Sequence, residues 1–173
     1  YGIPEYRLPK AVLDEEIFTI QRMGVEIVTD TKIGKDIPFE TVKEDFDAVL
    51  LGIGAWISTG VGCKGEDAAG VIGGIDFLRK VVRNEEIELG EKVAIVGGGN
   101  TAMDACRTAV RLGAKEVYNI YRRTKDEMPA DMVEIEEAEE EGVIFKNLTN
   151  PLEVVKDENG HVKEVVLQVM ELG

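Results

Sequence analysis

Cysteine is nearly absent from this sequence: Cys63 and Cys106 are the only two in 173 residues. Without C-x-x-C spacing they cannot by themselves hold structural zinc or an iron–sulfur cluster. So few cysteines, with no visible signal peptide, fit a reducing cytoplasm. Base is scarce relative to acid. Twenty Lys and Arg stand against 34 Asp and Glu, a net charge of −14. That balance argues against nucleic acid and anionic membrane surfaces as partners. No apolar run approaches the roughly 20 residues that span a bilayer. The single histidine, His161, lies beside a turn and reads as a solvated loop residue. No Ser–His–Asp, Cys–His or paired-carboxylate set is present, so no catalytic residue is assigned. The sequence opens on Tyr1 rather than Met and closes just after an apolar run, and it reads as an internal fragment. Its length suits one ordinary domain or parts of two, and 44% hydrophobic residues support a packed core.

What is there centres on residues 92 to 123, KVAIVGGGNTAMDACRTAVRLGAKEVYNIYRR. Val93, Ala94, Ile95 and Val96 form a wholly apolar run, the mark of a parallel strand buried on both faces. Gly97, Gly99 and Ala102 then spell G-x-G-x-x-A, a dinucleotide fingerprint. Gly97 permits the sharp turn out of the strand. Gly99 lets a pyrophosphate approach the backbone, and Ala102 lets the helix pack on the sheet. The N–H groups of the helix N-terminus then face the phosphates. Apolar or small residues at 102, 103, 105, 106, 109, 110 and 112 give that helix a broad packing face, and Gly113 stops it. Val117 to Tyr121 reads as the next strand.

Around this unit the pattern predicts an amphipathic helix over 11–23 and strands over 25–28 and 46–53, the second of them buried. Glycines at 60, 62, 65, 70, 73 and 74 mark a linker over 61–74. A short helix is predicted over 75–83. Past Arg123, Pro129 suits the first turn of a helix over 131–141. Glu134, Glu136, Glu137, Glu139, Glu140 and Glu141 give that helix a solvated acidic face. Residues 143–145 read as a third strand. Residues 152–155 and 162–170 read as a hairpin about Asn159-Gly160. The fold class is α/β: a Rossmann-like parallel sheet with an antiparallel hairpin, beside part of a second lobe.

The second strand ends in Tyr121-Arg122-Arg123, where the tip lies beside the adenosine ribose in such folds. An acid there selects NAD; arginines pair with a 2′-phosphate and select NADP. Counting from the fingerprint nominates Glu116, but Glu116 opens the strand, roughly 16 Å from the tip at 3.3 Å per residue. Position favours NADP, the plain alternative being two solvated arginines. Thr101 is placed to donate to a phosphate. For Asp104 two roles stay open: capping backbone N–H groups, or facing the nicotinamide side. Hydride transfer needs no further catalytic group, because the cofactor carries the chemistry.

YGIPEYRLPK at 1–10, LGIGA at 51–55, and VGGGNTAMD followed by YRR and MPA are together specific in order and spacing. On these stretches the chain resembles the glutamate synthase small-subunit family of NADPH- and FAD-dependent oxidoreductases. That family includes the matching region of dihydropyrimidine dehydrogenase and NADPH:ferredoxin transhydrogenases. The resemblance implies that residues 1–60 are part of a flavin lobe and that 75–173 are an NADPH domain inserted in it. It implies FAD contacts at Arg7, Ile33, Gly54 and Ala55, although Leu51-Gly52-Ile53 stands where Ala-Thr is commoner. It implies NADPH contacts at Gly98, Gly99, Asn100, Thr101 and Arg122, with Arg123 beside them. Asn100 replaces the usual aspartate. The first glycine fingerprint and the cysteine-rich iron–sulfur segment of the family would precede Tyr1.

The expected activity of the intact protein is hydride transfer from NADPH to FAD, with electrons passing through iron–sulfur clusters to a large partner subunit or acceptor protein. A transhydrogenase or pyrimidine-reductase subunit is an alternative with the same module. A nucleotide-binding or interaction module without redox activity is an alternative of another class.

Overall fold

In the computed structural model, residues 2–171 are described. They pack as two units. One is Leu8–Trp56; the other joins the residues up to Arg7 to those from Ile57 onward. None of the helices among the described residues is long and apolar enough to cross a membrane.

The smaller unit holds two helices, α1 (Lys10–Arg22) and α2 (Phe39–Asp45). α1 begins after Pro9, whose fixed φ suits a helix entry. α2 falls where the sequence reads as a polar loop. Its signal is Pro38 before the first turn, with Phe39 and Val42 three residues apart. Residues 25–28 and 46–53 form no strand. Leu50 is 95% exposed and Ile53 78%, where a buried strand is expected. The physical reason is pairing. A strand needs a neighbour for its N–H and C=O groups, and among the described residues none is offered to these segments.

The larger unit starts with α3 (Gly74–Val82), then runs β1 (Lys92–Val96), α4 (Asn100–Arg111) and β2 (Glu116–Ile120). α5 (Met132–Glu140) and β3 (Ile144–Lys146) follow. β4 (Thr149–Lys156) and β5 (Val162–Val169) complete it. β1, β2 and β3 form a parallel three-stranded sheet in that order, with Val93 opposite Val117 and Ile95 opposite Asn119. β4 and β5 pair antiparallel as a separate hairpin. At its turn Asp157 Oδ1 accepts the N–H groups of Asn159 and His161, at 2.8 and 2.9 Å. α5 starts after Asp131, so Pro129 lies ahead of the first turn rather than in it.

Burial alternates along β1: Val93 and Ile95 face the core, while Ala94 and Val96 are exposed. Both-face burial, expected from the apolar run, is therefore absent. α4 covers one side of β1 and β2, and the opposite side of β1 has no cover among the described residues. α4 itself is buried from Ala102 through Ala109, well beyond one face. α3, α5 and residues 4–7 all lie against it or its polar side chains. Met103, Cys106, Val117 and Ile135 form the centre of the core. Residues 63–71 are fastened along the hairpin. Lys64 and Ala69 bridge to Glu153 and His161, and the Val154 N–H donates to the Lys64 carbonyl at 2.8 Å.

Candidate functional site

The turn from β1 into α4 has its polar backbone divided in two. Every carbonyl is used by the protein. The Gly97 carbonyl accepts from Asn119 Nδ2 at 2.9 Å. The Gly98 carbonyl accepts from Ala130 N–H at 3.0 Å, and that of Gly99 from Ala102 N–H at 2.9 Å. The N–H groups of Gly98, Gly99, Asn100 and Thr101 have no protein acceptor among the described residues. Free donors and committed carbonyls make an anion cradle, reinforced by the helix dipole.

Each residue of the turn has a local reason. Gly97 has φ of 137°, which side chains rarely adopt, and its N–H donates to the Ile120 carbonyl at 3.0 Å. Gly98 lies against the Tyr121 ring, where a Cβ would come within 2.5 Å of a ring carbon. Gly99 faces open space, which suits a ligand's approach. Ala102 is buried, close to Gly97. Thr101 is exposed at the helix start. Asn100 spends its side-chain amide on Asp131, donating to Oδ2 at 3.1 Å and accepting from the N–H at 2.9 Å.

β2 ends at Ile120, so Tyr121, Arg122 and Arg123 follow the strand rather than close it. A cleft opens here between Val96, Gly97, Tyr121 and Arg122, with Thr149 and Asn150 on the β4 side. Arg122 and Arg123 are exposed, and neither has a carboxylate partner among the described residues. By contrast, Arg7, Arg107 and Arg111 are all paired. Glu116 sits at the other end of β2, bonded to Lys92 and to the Tyr118 hydroxyl.

Asp104 is 4% exposed, and its carboxylate meets Arg7 Nη1 at 2.9 and 3.1 Å. Neither role left open for it is the one its geometry shows. It anchors residues 4–7 to α4. Burial holds its carboxyl above the usual range, and the Arg7 charge opposes that shift. Arg7 also meets Glu134 at 2.9 Å. Arg107, its side chain 6% exposed, reaches Glu134, Glu137 and Glu141 at 2.8, 2.5 and 2.9 Å. The Tyr6 ring stacks on Arg107 and Arg111, at 4.5 and 3.8 Å from its centroid. The acidic face of α5 is thus partly an ion-paired seam, not simply solvated. Its sequence signal is Arg107 and Arg111, four residues apart on α4.

In the smaller unit, Ile33 lies in a turn, 47% exposed, and Gly54 and Ala55 are exposed in the segment after 46–53. Tyr121, Asn119, Asp131, Thr149 and Asn150 escape a reading by sequence. Only Tyr121 carries a signal, as part of the YRR stretch. The others reach the turn through tertiary contacts.

The family model for pyridine nucleotide-disulphide oxidoreductases matches residues 8–171. The chain is 48% identical to the NADPH-Fe(3+) oxidoreductase subunit beta of Geobacter sulfurreducens, over 99% of this chain and 26% of that protein. It is 44% identical to the NADP(+)-dependent formate dehydrogenase subunit beta of Moorella thermoacetica, over 99% and 25%. It is 39% identical to the glutamate synthase [NADPH] small chain of Escherichia coli, over 100% and 39%. The chain therefore spans about a quarter to two-fifths of these relatives. The fold is shared with thioredoxin reductase of T. acidophilum, at a TM-score of 0.51 and 18% identity, covering 65% of this chain and 35% of that one.

Proposed function

Because the chain belongs to the pyridine nucleotide-disulphide oxidoreductase family, we propose that its larger unit is the NADP(H) site of a flavin-dependent oxidoreductase. The carrying observation is the β1–α4 turn: its carbonyls are bonded within the protein and its N–H groups are left for a pyrophosphate. Arg122, with Arg123 beside it, supplies unpaired cations for a 2′-phosphate at the edge of the same cleft. NADPH supplies a hydride when bound, and the chain's own residues bind and orient it. FAD is the proposed acceptor. Residues 8–56, whose apolar segments form no strand among the described residues, are the proposed part of the flavin lobe. Ile33, Gly54 and Ala55 are its proposed contacts. Arg7 joins them only through the resemblance, because its guanidinium is engaged by Asp104 and Glu134.

Onward transfer through iron–sulfur clusters to a partner subunit is proposed for the intact protein only. The two cysteines here are not placed to ligate one: Cys106 is buried in the core, and no group of metal-binding side chains occurs among the described residues. Identity to two β subunits, at 48% and 44%, exceeds that to the E. coli glutamate synthase small chain, at 39%. That favours an electron-delivering β subunit as a second reading for the whole protein.

Calorimetric titration of the intact protein with NADP+ and NAD+ tests the site. Tighter NADP+ binding is expected. A charged hydrogen bond contributes about 1.5–3 kcal/mol, so Arg122→Ala should weaken NADP+ about tenfold or more and leave NAD+ nearly unchanged. Equal affinity for both nucleotides would overturn the assignment.

A further inference from the structure

The segment that carries Arg122 and Arg123 returns to the glycine turn at its far end. Asn100, the first residue of α4, grips Asp131 at two points: its Nδ2 donates to the carboxylate and its Oδ1 accepts the N–H. Beside it, the Ala130 N–H donates to the Gly98 carbonyl at 3.0 Å. The stretch between is braced on itself. The Thr124 N–H donates to the Glu127 carboxylate at 3.1 Å, and the Tyr121 hydroxyl donates to the Glu127 carbonyl at 2.8 Å. The near end is held beside β3 and β4, where the Tyr121 N–H donates to the Lys146 carbonyl and the Leu148 N–H to the Arg123 carbonyl, both at 3.0 Å, and Asp131 holds the far end to the glycine turn.

The chemistry of the pair is specific. An amide donates to a carboxylate through its NH2 and accepts an N–H through its oxygen at once, which a carboxylate in its place cannot do. An aspartate at 100 would accept the N–H but face the Asp131 carboxylate. Asp131 is also unusual for its place. It precedes α5 as N-cap, yet its side chain makes no capping bond to that helix. Its charge, held at Asn100, lies beside the start of α4, where an anionic ligand is to bind. A carboxylate there opposes phosphate binding unless it does something else.

We propose that Asn100 and Asp131 form a latch that positions the arginine-bearing segment against the glycine turn. They are positioning residues for recognition of a nucleotide bearing a 2′-phosphate. Asn100 offers the nucleotide its backbone N–H, while its side-chain amide is oriented by the two bonds to Asp131. The inference rests on the NADP(H) reading above.

The test measures NADP+ and NAD+ dissociation constants in the intact protein for wild type, Asn100→Ala, Asp131→Ala and the double variant. Each single change is expected to weaken NADP+ about fivefold, the size of one lost hydrogen-bonded contact. The double variant should be no worse than either single one, because both break the same pair. NAD+ affinity should move less than about twofold on the same reasoning. The sign at Asp131 is decisive. Removing a negative charge near a phosphate would by itself tighten binding, so NADP+ binding that is unchanged or tighter in Asp131→Ala overturns the latch. Equal weakening toward both nucleotides overturns it too, as a general loosening of the turn. A wild type without NADP+ preference defeats the reading of the site instead, and is seen before any variant is compared.

Discussion

Gly98 shows how tightly single positions are set around the turn. A Cβ there would meet the Tyr121 ring at 2.5 Å, and that ring is held by its hydroxyl bond to the Glu127 carbonyl. Gly98→Ala is expected to lower stability by about 1–3 kcal/mol, the usual cost of overpacking. Chemical denaturation checks it. The cysteines make a second case. Burial pushes the Cys106 thiol up to about 12, so almost no thiolate forms near neutral pH. Cys63 is only partly buried. At about pH 8, a thiol reagent should label the accessible Cys63 in the native protein and Cys106 only after unfolding, as peptide mass spectrometry would show. Asn119 is the exception to economical packing. It is fully buried, and its Oδ1 has no partner among the described residues, but its Nδ2 fixes the Gly97 carbonyl.

Between elements, α4 and α5 are joined by charge as much as by apolar contact. Arg107 serves three glutamates while nearly buried. Arg107→Leu leaves those carboxylates without it, but Glu134 keeps Arg7 and Glu141 keeps Arg111, so a loss of about 1.5–3 kcal/mol is expected. Thermal unfolding should show a clear fall in Tm. The same seam carries opposite pH dependences. The Arg111 hydrogen bond, with Arg107 behind it, holds Glu141 below its ordinary value of 4.5. The folded state then binds the proton less readily than the unfolded one. Glu141 thus adds stability above its unfolded value, and that stability is lost as pH falls through the depressed folded value. Asp104 acts in reverse. Its raised value means that its contribution is present below about 3.8 and is lost as pH rises through the folded value. Glu141→Gln should therefore flatten the acid limb of the stability profile, measured as denaturation midpoint against pH.

At the scale of the whole molecule, the two units differ in how far they satisfy themselves. The larger one has a core, a complete sheet-to-helix turn and an ion-paired seam. The smaller one exposes Leu50, Leu51, Ile53 and Trp56 outside any helix or strand. A protein made of these 173 residues alone is expected to carry no bound flavin after purification, because among the described residues the Gly97 turn is the one glycine motif that leads from a strand into a helix; Gly60, Gly62 and Gly65 repeat the spacing without either element. An absorbance band in the flavin region would contradict this.

The strand–turn–helix–strand unit and its glycines were legible in the sequence because they depend on local chemistry: an apolar run, small residues at set spacings, a stop at Gly113. The hairpin was legible for the same reason, through Asn159-Gly160. Residues 25–28 and 46–53 misled, since an apolar run records a tendency to pair, and pairing needs a partner from elsewhere in space. The fates of Asp104, Asn100 and the α5 glutamates were likewise beyond the sequence. A buried carboxylate facing Arg7 and one facing a nucleotide look alike as letters. Which cation or amide arrives beside each is decided by packing residues 4–7 and α5 around α4. Sequence determined where the backbone turns and which segments are apolar; tertiary structure decided which polar groups are spent on the protein and which remain for a ligand.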